Sequence, residues 1–132
     1  MKRRLVTRDE RGAAAIEMAF ALPALIILIW MIVQLGLVFR AMSGIQHALG
    51  EGARHATIWP QPDIDEIEKK IEDAVYGIGP GSFTIHEPEP GLSDAAEPYL
   101  DLQVSYTQET NLLLLPGPTI EVSRSKRVWV AE

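Results

Sequence analysis

The spacing of apolar and polar positions divides this chain into three stretches with different periods. From Ala13 to Phe39 (AAAIEMAFALPALIILIWMIVQLGLVF) almost every residue is apolar, and Glu17 is the single ionisable group. Positions 18 to 39 carry no charge. At ~1.5 Å per residue they reach ~33 Å, enough to cross a hydrocarbon core of ~30 Å. A buried core helix this uniformly apolar needs a large protein around it, which 132 residues do not supply. The pattern therefore predicts a transmembrane helix over 13–39. Pro23 inside it cannot donate to the carbonyl of Ala19, so a kink is expected there.

Helical spacing continues beyond the apolar run, through RAMSGIQHALGEGARHATIW, with no proline until Pro60. Ile45, Leu49, Ala53 and Ala56 recur at intervals of three and four, predicting an outward extension of the same helix over 40–58. Gly44, Ala48, Gly52 and Ala56 recur at every fourth position, which lets another element approach closely, although each glycine weakens a helix by ~1 kcal/mol. That element is either the chain's own domain or a neighbouring subunit.

Residues 59–132 are expected to form a small α+β domain. Trp59-Pro60-Gln61-Pro62 ends the long helix, and Asp63 with Glu66 three residues on has the form of a capping box. Ile64, Ile67, Ile71 and Val75 then make one apolar stripe, closed by Gly77. After that the period falls to two. SFTIHE reads as a short strand, EPEPGLSDAAEP as a proline-rich loop, and YLDLQVSYTQE as the clearest strand, with Leu100, Leu102, Val104 and Tyr106 on one face. NLLLLPGP reads as an apolar connector with a turn, and TIEVSRSKRVWVAE as one long strand or two short ones. The expected architecture is a long helix extending into one amphipathic helix and a three- to four-stranded antiparallel sheet, which packs on the outer helix half around Ile45 and Leu49.

The net charge of −6 conceals a sharp asymmetry. Residues 1–12 form a basic leader of net charge +3, from five basic and two acidic residues, whereas the chain from Arg40 onward has seven basic and fifteen acidic residues, a net −8. Basic flanks stay cytoplasmic, so the amino terminus is expected inside and the domain outside, as in a single-pass protein of a bacterial inner membrane with a periplasmic domain. An acidic exported domain argues against nucleic-acid binding. The absence of cysteine excludes disulfides and thiolate metal sites. Conventional signal-peptide cleavage has only a poor match at Ala41-Met42-Ser43, after a run longer than the usual apolar region.

Gly12 ends the basic leader and Glu17 lies five residues on, giving GxxxxE at a basic-to-apolar boundary. A carboxylate within an apolar span is costly and calls for a partner. The run from Arg8 to Ala56 resembles the amino-terminal half of TadE-like proteins, pseudopilins of the tight-adherence (Flp) pilus system. In that family an RGAAAxE junction is followed by an apolar helix with an internal proline and a helix ending in EGAR. TadF-like relatives share this half. Where the family often has an aromatic residue after the glutamate, this chain has Met18.

The resemblance implies a pilin-like architecture and cleavage between Gly12 and Ala13 by prepilin peptidase. Glu17, then the fifth residue, would meet the amino-terminal ammonium of a neighbouring subunit and set its register. Implied partners are prepilin peptidase, other pseudopilins, the major pilin and the inner-membrane assembly platform. The alternative is an uncleaved single-pass scaffold with a periplasmic interaction domain, in which Glu17 reaches water near the interface.

Other chemistry finds little support. His47, Glu51 and His55 share a helical face, but the two histidines are eight residues apart, ~12 Å along the axis, too far to share one ion. Hydrogen bonds from these histidines to Glu51 are the expected arrangement. No GxSxG elbow or phosphate loop is present, and the glycines of GIGPGS lack a following Lys-Ser/Thr. Neither a cofactor nor an enzymatic activity is expected.

Overall fold

The computed structural model describes residues 10–130, with side chains from Gly12 onward. The first nine residues, most of the basic leader, lie outside the described residues. The element order is α1 (Glu10–Ala56), α2 (Ile64–Val75), β1 (Ser82–Leu92), β2 (Pro98–Asn111) and β3 (Pro116–Trp129).

The 47-residue helix α1 is continuous, with Pro23 inside it. Its buried positions begin at Gln34 and follow a stripe through Val38, Ala41, Ile45, Ala48, Gly52 and Ala56, spaced by three and four. This is the side of a helix that faces a core. From Ala13 to Val33 every residue is exposed except the half-buried Ile27. The helix is thus bare at one end and covered by its own domain at the other. Gln34 and Val38 show that the cover reaches into the outer end of the apolar run.

α2 packs its apolar stripe inward, with Ile67, Ile71 and Val75 buried. Asp63 is its N-cap in extended backbone conformation, but its carboxylate makes no cap hydrogen bond, so the expected capping box does not form. The first turn is closed through the backbone instead, with the Glu66 and Ile67 N–H groups donating to the Asp63 carbonyl at 3.1 and 3.2 Å. At the other end Gly77 takes φ +73°, the left-handed geometry that terminates helices.

The three strands form one antiparallel sheet in the order β1-β2-β3. β2 is therefore central. β1 is longer than the sequence pattern implies, because it continues through Pro88 and Pro90 to Leu92, where a loop was expected. An edge strand tolerates proline, and the ladder takes up the irregularity as a register shift between His86 and Glu89. The carboxy-terminal segment forms one strand, β3, rather than two.

The core lies between the helices and one sheet face. It joins Ile45 and Leu49 of α1, Ile67 and Ile71 of α2, and Leu100, Leu102, Val104 and Tyr106 of β2. Tyr106 is fully buried and packs on Phe83, with ring centroids 4.8 Å apart. Its hydroxyl donates to Gln108 Oε1 at 2.7 Å and accepts from the Gly81 N–H at 3.0 Å. Tyr106→Phe removes both bonds and leaves the buried Gln108 carbonyl unpaired, a cost of ~1–3 kcal/mol. A lower urea midpoint in a membrane mimetic is expected, and an unchanged one would contradict this packing.

Candidate functional site

The exposed end of α1 carries the residues singled out by the sequence. α1 begins at Glu10, so the Gly12–Ala13 bond lies within its first turn. Glu17 is exposed and follows Ala13 by four residues, which places the two one turn apart on the same face. Helical side chains lean toward the helix amino terminus, so the carboxylate leans back toward Ala13. Pro23 sits further along the same bare segment and leaves the Ala19 carbonyl without its intrahelical donor.

Gly44, Ala48, Gly52 and Ala56 are all buried, and the chain's own domain covers them. A Cβ on Gly44 would lie 2.6 Å from Ile78 Cδ1, and one on Gly52 would lie 2.5 Å from Ile71 Cγ1. The small residues let α2 and the segment after it approach α1 directly.

One joint in the structure has no counterpart in the sequence reading. Where β2 ends, the Gln34 side-chain amide pairs with the backbone of Asn111: Gln34 Nε2 donates to the Asn111 carbonyl, and the Asn111 N–H donates to Gln34 Oε1 at 3.0 Å. The Trp30 indole N–H is shared between the Asn111 carbonyl, at 3.1 Å, and Asn111 Oδ1, at 2.8 Å. Gln34 is the only polar side chain between Met18 and Phe39. That singularity was the available signal. The joint ties the β2–β3 hairpin to the last bare turn of the helix.

The sheet face away from the helices is polar. His86 Nε2 lies 3.0 Å from Ser105 Oγ, which donates onward to Ser123 Oγ at 3.2 Å. A serine beside a histidine invites comparison with a hydrolase, but here Ser105 lies on the central strand, where ladder bonds to both neighbours engage the backbone amides that an oxyanion hole would need. On the same face Arg127 clasps Asp101 through two bonds of 2.8 and 2.7 Å and stacks 3.9 Å over the Tyr99 ring. The Arg127 hydrogen bond holds the Asp101 carboxyl below its ordinary range, and Asp101 in turn raises Arg127. The pair's small stabilising effect is therefore present above the ordinary carboxylate range and lost as pH falls below that range, through the lowered Asp101 value.

His47 is exposed, whereas Glu51 and His55 are half-buried. Among the described residues no hydrogen bond joins His47 or His55 to Glu51, so the expected pairing is not formed. Among the described residues no three His, Cys, Asp or Glu side chains come together as a metal site.

α1 is the one helix among the described residues long and apolar enough to cross a membrane. Comparisons with curated proteins and with solved structures find no match. Over residues 12–54, from the GxxxxE junction to the last turn of α1, the chain matches the family model of TadE-like proteins.

Proposed function

We propose that this chain is a membrane-anchored minor pilin or pseudopilin of the tight-adherence (Flp) pilus, cut between Gly12 and Ala13 by prepilin peptidase and then used in pilus assembly. The observation that carries the reading is Glu17. It is the only charge on a bare apolar helix, one turn from the candidate new amino terminus, within the segment that matches the TadE-like family.

Cleavage creates an ammonium at Ala13 in an apolar setting that already holds a carboxylate. Each charge is unfavourable in lipid, and pairing between neighbouring subunits relieves both while fixing the axial register of adjacent helices. Gly12 lowers helix stability by ~1 kcal/mol relative to alanine, which eases the opening of the first turn for a peptidase. The charge asymmetry orients the leader to the cytoplasm and the domain to the periplasm. Other pseudopilins, the major pilin and the inner-membrane assembly platform are the partners this role requires, and the role is structural rather than enzymatic.

A second reading, an uncleaved single-pass scaffold, draws on the passage of α1 through Gly12 without a break. Both readings are tested by removing the chain from its host. The expected result is loss of surface pili, restored by the full chain, with some of the tagged chain recovered in sheared pili if it enters the filament. Normal piliation without the chain would contradict a role in assembly.

A further inference from the structure

We propose that the tip of the β2–β3 hairpin, Leu113-Leu114-Leu115, is a second membrane contact, inserted into the leaflet on the domain's side. The inference rests on the reading that α1 crosses the membrane. It is carried by the position, chemistry and backbone geometry of the tip.

Position comes first. The bare apolar band of α1 runs from Ala13 to Val33, ~31 Å at ~1.5 Å per residue, and so matches a hydrocarbon core of ~30 Å. Trp30 and Gln34 lie at its outer edge and bond to Asn111, the last residue of β2. The leucines follow immediately. The hairpin therefore reaches down the helix to the level at which bare helix begins, and an indole at that level suits a membrane interface.

The tip is also apolar without interruption. From Leu112 to Ile120 there is no charged residue. Leu113, Leu114 and Leu115 are 49%, 89% and 64% exposed. Beside them a crevice of about 100 Å³ is lined by Met31, Leu35, Leu112 and Ile120 among others, continuing the apolar surface from helix to hairpin. Exposed leucine at a loop tip gains nothing from water, but it gains from lipid.

Backbone geometry points the same way. The Leu112 N–H donates to the Leu115 carbonyl at 2.7 Å, across the four-residue loop that joins Asn111 to Pro116. Within that loop Leu113 has φ +70°, in the left-handed region that ordinarily favours glycine. A leucine that strains the turn is better explained by what its side chain touches than by the turn itself. Gln34 takes both backbone groups of Asn111, and Asn111 Oδ1 accepts from the Leu113 N–H at 3.3 Å, so the backbone leading into the tip is bonded within the chain.

The absence of cysteine allows single-site labelling of the full chain, reconstituted in phosphatidylethanolamine–phosphatidylglycerol vesicles. Nitroxides are placed at Leu114→Cys, at Ile29→Cys in the bare helix, and at Asp94→Cys in the turn at the opposite end of the sheet. Collision with oxygen reports lipid, and collision with a water-soluble nickel chelate reports water. The expected oxygen-to-nickel ratio at position 114 approaches that at 29 and exceeds that at 94 several-fold. A ratio at 114 equal to that at 94, with 29 still in lipid, would overturn the proposal. So would shielding of 114 from both reagents with spin–spin broadening, which would mean that a second copy covers the tip. If 29 itself is open to nickel, the membrane-spanning reading fails and this inference fails with it. Leu113→Gly provides a variant that relieves the turn: the hairpin is retained, and a label at 114 is expected to shift toward water.

Discussion

Gly52→Leu is expected to unseat α2 from α1 and unfold the domain. A Cβ at this position would lie 2.5 Å from Ile71 Cγ1, 2.8 Å from Ile71 Cδ1 and 3.5 Å from Leu102 Cδ1. Ile71 and Leu102 are both fully buried, so neither can swing into solvent to make room. Leucine adds three further carbons where the first does not fit. Overpacking costs ~1–3 kcal/mol and sometimes more, against a total stability of ~5–15 kcal/mol for a typical domain.

A neighbouring glycine supplies the control. Nothing lies within 4 Å of a Cβ built on Gly50, so Gly50→Ala is expected to gain up to ~1 kcal/mol from helix propensity alone. Urea unfolding in a membrane mimetic should move the two midpoints in opposite directions. Ile71→Ala alone should cost ~2–5 kcal/mol. Combined with Gly52→Leu it should cost less than the sum, because the leucine fills the vacated volume. Strict additivity would mean that the two side chains do not compete for one space.

Glu17→Ala is expected to leave membrane insertion intact and to remove the chain from assembled pili. Insertion depends on the apolar run, which alanine makes more apolar still. Assembly, in the proposed role, depends on a carboxylate that meets an ammonium in lipid. Breaking one partner of a buried pair costs ~3–5 kcal/mol, at least a hundredfold in association. Glu17→Gln keeps the shape without the charge and should behave like Glu17→Ala, whereas Glu17→Asp should retain part of the function. The comparison is between the amount of chain in the membrane fraction and the amount in sheared pili, with surface pili counted alongside. Normal piliation with Glu17→Ala would remove the pairing role assigned here.

How legible this fold was depended on whether each element is set by its own period or by its neighbours. The apolar run, the stripe of α2 and the alternation of Leu100, Leu102, Val104 and Tyr106 each declare themselves locally, and each forms the element its period implies. β1 runs on past its expected end because proline usually stops a strand, and only the place of β1 at the sheet edge makes Pro88 and Pro90 tolerable. Asp63 is positioned as a cap, yet backbone bonds close the turn without its side chain. The spacing of Gly44, Ala48, Gly52 and Ala56 signalled close packing but not the partner, which the fold supplies through Ile71 and Ile78. The joint of Trp30 and Gln34 with Asn111 links residues about eighty positions apart, a distance no local pattern can bridge. Gly12, Ala13 and Glu17 are different again, since their proposed roles depend on a peptidase and a second subunit rather than on contacts within the chain.

The central claim is that the chain is cut between Gly12 and Ala13 before it acts. The most direct measurement is the intact mass of the membrane-extracted protein from cells with and without prepilin peptidase. The account predicts a chain beginning at Ala13 when the peptidase is present and the uncut chain when it is absent. The same uncut mass in both would contradict it and leave the single-pass scaffold as the better reading.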